Sequence, residues 1–164
     1  MEYKIETANR EDLPRILEIY AYARGFMVKT GNPTQWGTTH PPKAQLEEDI
    51  TLRRLYVVKG EGEIVGVFYF CVEEDPTYAE IFEGSWQENS PYGVIHRIAV
   101  ISHRKGIANA CYDFALKRCK NLRIDTHEDN IPMQRSLAKN GFQKCGTIYL
   151  ASGDPRIAFQ KTIN

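Results

Sequence analysis

The sequence predicts a mixed α/β fold in a single domain of residues 1–164. Three observations carry this. The 164-residue chain is long enough for one domain with a real core. Apolar residues recur with period two in some segments and with helical period in others. The second half alternates strand, helix and strand, an order in which crossovers join parallel strands. The composition, 42% hydrophobic and 26% charged with no low-complexity tract, is that of an ordinary globular chain.

The elements follow in order. Residues 2–7, EYKIET, alternate and predict a first strand. Asp12 is placed to cap a helix running to about Arg24, with Leu13, Ile16, Leu17 and Tyr20 at helical spacing. The stretch KTGNPTQWGTTHPP, Lys29 to Pro42, discourages regular structure, and loops of this length are usually functional or mobile. A second helix is expected from about Pro42 to Arg54. RLYVVKG and EIVGVFYFCVE then read as two strands of a hairpin turning at Gly60–Gly62. An acidic connection, Glu73 to Glu88, leads into the strand YGVIHRIAV. A helix follows to about Lys120, burying Ile107, Cys111, Phe114 and Ala115. LRIDTH is a strand and NIPMQRSLAKNG a short helix, with Pro132 in its first turn and Gly141 at its stop. FQKCGTIYL and RIAFQKTI close the chain as a strand pair. No internal repeat or interdomain linker is found.

Charge and cysteine usage narrow the function classes. Residues 1–90 carry 9 Lys/Arg against 16 Asp/Glu, and residues 91–164 carry 12 against 5. A basic second half suggests an anion held there. It shows no aromatic–basic face or recognition-helix motif, so no nucleic-acid partner is expected. The N-terminus lacks a signal-peptide pattern and no apolar run approaches a membrane span, so no membrane association and a cytoplasmic location are expected. Cys71, Cys111, Cys119 and Cys145 form no CxxC pair and read as free thiols.

The sharpest local signal is HRKGIANAC, His103 to Cys111. A glycine turn entering a helix exposes backbone N–H groups without intrahelical partners, and the helix dipole adds positive potential. Gly106 permits close approach, Ala108 and Ala110 keep the first turn uncluttered, and His103, Arg104 and Lys105 supply charge. A pyrophosphate fits. The competing reading is a basic turn whose glycine serves geometry alone. Neither the P-loop nor the dinucleotide-binding glycine pattern is present.

HRIAV-xx-HRKGIANA, followed by DTHEDNIPMQRSLAKNGF, resembles the GNAT superfamily of acetyl-CoA-dependent N-acetyltransferases. The family hallmark, [Q/R]-x-x-G-x-[G/A], reads here as His103-Arg104-Lys105-Gly106-Ile107-Ala108, with histidine in the leading position. The resemblance implies a mostly antiparallel sheet with a central splayed parallel pair and about four flanking helices. It implies acetyl-CoA as co-substrate. Backbone groups of Ile98, Ala99 and Val100 would hold its pantetheine arm, amides from Arg104 to Ala108 its pyrophosphate, and Asn130 the adjacent cofactor.

Acetyl transfer to an amine needs proton removal, stabilisation of the thioester oxygen and departure of a thiolate. His96 is the candidate base: alternation in VIHRIAV puts Val94, His96 and Ile98 on one face and Arg97 and Ala99 on the other. A histidine serves proton removal at the corresponding strand position in a member of the family. A histidine satisfied in the core is the competing reading. Many members place the acid, a tyrosine, four residues before the Gly-Phe glycine. That position here is Leu137, which leaves Tyr149 as a weak substitute and the acid unassigned. No thiol has a setting that suggests a nucleophile. His127, Glu128 and Asp129 are consecutive and diverge, so no metal is expected.

The acceptor is expected to be a small-molecule amine met by Asn32, Gln35 and Trp36. Six carboxylates without a Lys/Arg in residues 73–88 favour a cationic one. Trp36 is equally suited to a core anchor or a homodimer contact. Two alternatives stay open: a longer acyl-CoA, and a non-catalytic CoA-binding sensor or interaction module.

Overall fold

The structure, a computed structural model, describes residues 2–101 and 105–164. Seven strands make one sheet: β1 (Lys4–Thr7), β2 (Leu55–Gly60), β3 (Glu63–Val72), β4 (Gly93–Val100), β5 (Asn121–Thr126), β6 (Gln143–Tyr149) and β7 (Pro155–Thr162). Their spatial order is β1-β2-β3-β4-β5-β7-β6, and every neighbouring pair is antiparallel except β4–β5. The helices are α1 (Leu13–Lys29), α2 (Lys43–Thr51), α3 (Ile107–Arg118) and α4 (Ile131–Lys139). The order of elements matches the one expected from periodicity. No helix among the described residues is long and apolar enough to cross a membrane.

β3 is buried from Ile64 to Phe70, because both faces of the sheet centre are covered. On one face Phe68 and Phe70 meet Phe114 of α3 edge-on. Gly66 lies on the same face, where a Cβ would stand 2.8 Å from the Ile107 side chain, so α3 can approach only a glycine there. On the other face Tyr69 carries the guanidinium of Arg97 over its ring.

Several boundaries differ from the sequence expectation. Asp12 holds the N-cap position of α1, as expected, but its side chain makes no cap bond there. Its carboxylate accepts from the Asn9 amide in a capping box around a 3-10 turn, and α1 starts behind it with Pro14 in its first turn. α1 also runs past Arg24 to Lys29, because its end is tied further on: Thr30 Oγ1 donates to Phe26 O and the Asn32 amide to Met27 O. α2 ends earlier than expected. Arg53 adopts a left-handed φ of 58°, and the amides of Arg53 and Arg54 bond back to Ile50 O and Asp49 O. In α3 Tyr112 and Leu116 are buried, whereas Phe114 is only half-buried.

The irregularity that matters most is in β4. Tyr69 pairs with His96 and Val67 with Ala99, so β4 carries one residue more than β3 over this span. Arg97 takes φ 51°, the left-handed region. This β-bulge breaks the expected alternation, and His96, Arg97 and Ile98 all line one cleft instead of opposite faces. The bulge is fixed from two sides. Tyr20 of α1, fully buried, donates its hydroxyl to Arg97 O (2.6 Å), and the Arg97 guanidinium donates to Asp49 Oδ2 of α2 (2.8 and 3.1 Å). Asp49 is 2% exposed, so its removal strands a largely buried cation. Asp49→Ala should therefore cost about 3–5 kcal/mol in urea unfolding, and Tyr20→Phe about 1 kcal/mol. Unchanged midpoints would show that neither contact holds the bulge.

Candidate functional site

β4 and β5 pair at only two positions, Gly93 with Leu122 and Val94 with Arg123, and then separate. The Ile101 amide donates to Val65 O and Ala99 stands opposite Val67, so the backbone groups of Ala99 face β3. Those of Val100, one residue back, face the gap. Of the three cofactor residues expected on this strand, the ladder thus directs Ala99 into the sheet and leaves Val100 and the bulged Ile98 free to meet a ligand.

Beyond β4 the chain reaches the helix corner. Ser102, His103 and Arg104 lie outside the described residues, so the expected roles of His103 and Arg104 carry no structural account. Gly106 has φ 80° and precedes α3 without a side-chain cap. A Cβ there would meet only the Tyr3 ring, at 3.9 Å. Tyr3 also donates its hydroxyl to Lys105 O (2.6 Å), fixing the turn from β1's side. The first intrahelical bond is Ala110 N to Gly106 O, so the amides of Ile107, Ala108 and Asn109 have no acceptor within the helix. No acidic side chain occupies that first turn. The corner is open and suits an anion.

The gap opens into a cleft of about 540 Å³. Its polar wall is built around His96. His96 Nε2 lies 2.8 Å from Asp75 Oδ2, and both side chains are mostly buried. Burial of Asp75 opposes ionisation, but hydrogen bonds from His96 and from the Thr77 hydroxyl and amide outweigh it, bringing its pKa down to about 2. Asp75 is therefore a carboxylate at neutral pH. It holds the Nε2–H tautomer and leaves Nδ1 of His96 as the acceptor nitrogen. Across the cleft the buried Tyr78 hydroxyl donates to Asp125 Oδ2 (2.6 Å). Burial pushes the Asp125 pKa up, against the pull of His96, Tyr78 and Arg156.

The loop of residues 30–42 closes another side. Gln35 Oε1 accepts from Asn32 Nδ2 (2.8 Å) and Asn130 Nδ2 (2.9 Å), while Asn130 Oδ1 caps α4 by accepting from the Met133 amide. Gln35, Trp36 and Asn130 all line the cleft; Asn32 is 1% exposed and holds the loop from behind. Trp36 packs edge-on against Tyr20. Tyr149 lies elsewhere: on exposed β6 it packs against Phe82, outside the cleft lining. Leu137 is fully buried. His127 and Asp129 shape a turn, the Asp129 amide donating to His127 Nδ1. Among the described residues no group of three or more His, Cys, Asp or Glu could hold a metal ion.

Asp75, Tyr78, Asp125, Thr126 and Arg156 were not singled out from the sequence. The acidic run gave the only hint, and of its six carboxylates Asp75 alone lines the cleft. Cys111 is buried and its thiol pKa is raised by burial, which leaves no poised thiolate there.

A parallel pair splayed inside an otherwise antiparallel sheet, with an open helix corner beyond it, is the geometry the sequence resemblance implied. The acetyltransferase (GNAT) family model matches residues 17–142, and the chain belongs to that family. A GNAT-family acetyltransferase from Streptococcus agalactiae 2603 is similar at 28% identity and a TM-score of 0.90, covering 99% of this chain and 96% of that one. One from Bacillus cereus ATCC 10987 shares the fold at 20% identity and a TM-score of 0.68, with 100% of both chains covered. AAC(6')-Ib, solved with ribostamycin and coenzyme A, shares it at 18% identity and a TM-score of 0.66, covering 99% of this chain and 94% of that one. No curated protein matches the sequence.

The Asp75 pKa makes a stability prediction. Its folded value lies below the ordinary 3.8, so its contribution is complete above about pH 4 and is lost as pH falls towards 2. Asp75→Asn should cost about 2 kcal/mol at pH 6, with the gap to wild type closing in melts taken down to pH 2. A pH-independent difference would remove the carboxylate–imidazole bond from the account.

Proposed function

We propose that this chain is an acetyl-CoA-dependent N-acetyltransferase, a single domain of residues 1–164 that acts in the cytoplasm on the primary amine of a small acceptor. The observation that carries the reading is the unpaired inner edge of β4, which ends near the free amides of α3. Together they offer an extended ligand both a strand edge and an anion corner.

The co-substrate supplies the activated acetyl thioester. On this reading the Ile98 and Val100 backbone holds its pantetheine arm, and the amides from Lys105 to Ala108 hold its pyrophosphate. Asn130 has its side-chain oxygen committed to capping α4, so its remaining N–H is what it offers. Backbone N–H groups beside the bulge polarise the thioester oxygen. Nδ1 of His96 takes the proton of the amine, directly or through water, while Asp75 fixes the ring. Trp36 and Gln35 bound the acceptor side. Direct transfer is favoured over an acetyl-enzyme, since no thiol is poised to attack. Holding amine and carbonyl in contact supplies much of the acceleration.

Two measurements test this. His96→Ala should lower kcat/KM by about 10²–10⁴ and flatten the acidic limb of its pH profile, with CoA affinity retained; an unchanged profile excludes His96 as base. Gly106→Asp places a carboxylate on the anion corner, and aspartate is among the residues that tolerate a left-handed φ. Calorimetry with CoA should then show affinity lower by at least about tenfold, one like-charge contact. Undiminished affinity would remove the pyrophosphate from this corner.

A further inference from the structure

Arg156 is a buried cation that, among the described residues, makes no direct ion pair, although its charge is felt by Asp125. It enters β7 at the mouth of the cleft and is 8% exposed. Its single hydrogen bond among the described residues runs from one terminal nitrogen to the neighbouring Pro155 O (2.9 Å). No carboxylate among those residues comes within 4.0 Å of it. The two nearest in the chain or the sheet are otherwise engaged. Asp154 accepts from Ser152 Oγ, and Asp125, a diagonal neighbour across β5–β7, accepts from Tyr78. The chain pairs its other strongly buried cleft cation, Arg97, directly with Asp49. Leaving a guanidinium buried without an anion is costly unless a ligand brings one.

Arg156 offers a planar fork of donors, and Trp36, Met27 and Leu150 supply apolar wall to the same cleft. A guanidinium fork matches a carboxylate in a bidentate geometry.

We propose that Arg156 receives a carboxylate of the acceptor, so that the amine acetylated here belongs to an amino-carboxylate of amino-acid size. This rests on the reading of the cleft as the acceptor site. It also places opposite requirements at the two ends of one small molecule. The amine must reach His96 and lose a proton, while the carboxylate stays ionised at Arg156.

The test separates this inference from the transferase reading. In the presence of CoA, binding of the twenty L-amino acids, their carboxamides, their decarboxylated amines and O-phosphoethanolamine is measured by saturation-transfer NMR. Acetylation of the same panel is followed by thiol release from acetyl-CoA. At least one amino acid should bind, and its carboxamide should be weaker by about 10–100-fold, the worth of a charged hydrogen bond. Arg156→Gln should remove that preference, so that acid and carboxamide bind alike. Arg156→Lys, which retains charge without the fork, should fall between. Circular dichroism melts check that each variant is folded. Equal binding of acid and carboxamide to the wild type, or an equal loss for both in Arg156→Gln, overturns the carboxylate assignment. So does preference for O-phosphoethanolamine over every amino acid, or no amino-acid binding at all. Carboxylate-selective binding without any acetyl transfer would instead sink the transferase reading and leave Arg156 as the anion site of a binding protein.

Discussion

One extra residue in the middle strand governs the architecture around the site. A regular β4 would pair with β5 along its length, and the sheet would be closed at its centre. β4 leaves β5 after Val94, Arg97 takes its left-handed conformation three residues further on, and the cleft lies in the space that follows. A left-handed arginine is a strained choice that must be stabilised elsewhere. Here the compensation is visible: the Tyr20 hydroxyl takes the bulge carbonyl and Asp49 takes the guanidinium. Two helices from the acidic half of the chain therefore hold open a gap that belongs to the basic half.

The same division of labour organises the polar wall. His96 and Asp125 come from neighbouring strands of the second half, and their partners Asp75 and Tyr78 come from one short segment before β4. That segment also carries Trp86, whose indole donates to Tyr78 O and packs against the Tyr78 ring. His96 and Asp125 are thus each held by a residue that is itself buried or capped. A carboxylate that reaches His96 through a loop would wander; Asp75 is pinned because its other oxygen caps the turn at Thr77.

Legibility from sequence followed periodicity. Strands, helices and their order could be read because burial imposes a period of two or of 3.6 residues, and the glycine corner before α3 could be read because its conformation needs a specific residue. The bulge could not. VIHRIAV alternates well enough to look regular, and only the pairing with β3 reveals the added residue. That hid the fact that Arg97 shares the cleft with His96 and Ile98. Arg156 was invisible for a related reason, since RIAFQKTI reads as an ordinary strand whose first cation is expected to be solvated. Asp75 was legible only as one charge among six, because its role depends on a turn fixed by Thr77. Leu137 was the opposite case: a departure that sequence marked and the packing explains, since the side chain is wholly enclosed.

That departure also fits the proposed chemistry. An alkylammonium ordinarily titrates near 10.4 and a thiol near 8.5. Close to neutral pH, deprotonating the amine is thus the steeper demand, by about 2.6 kcal/mol on those ordinary values. On the proposed reading, a positioned base with leucine at residue 137 keeps the larger of the two contributions. The thiolate can leave with water, or with the nearby amide dipoles, as its only support, whereas an amine that keeps its proton has no lone pair with which to attack. The fixed His96–Asp75 pair and the apolar Leu137 are therefore consistent with the proposed reading, in which His96 removes the proton and its return is left to solvent.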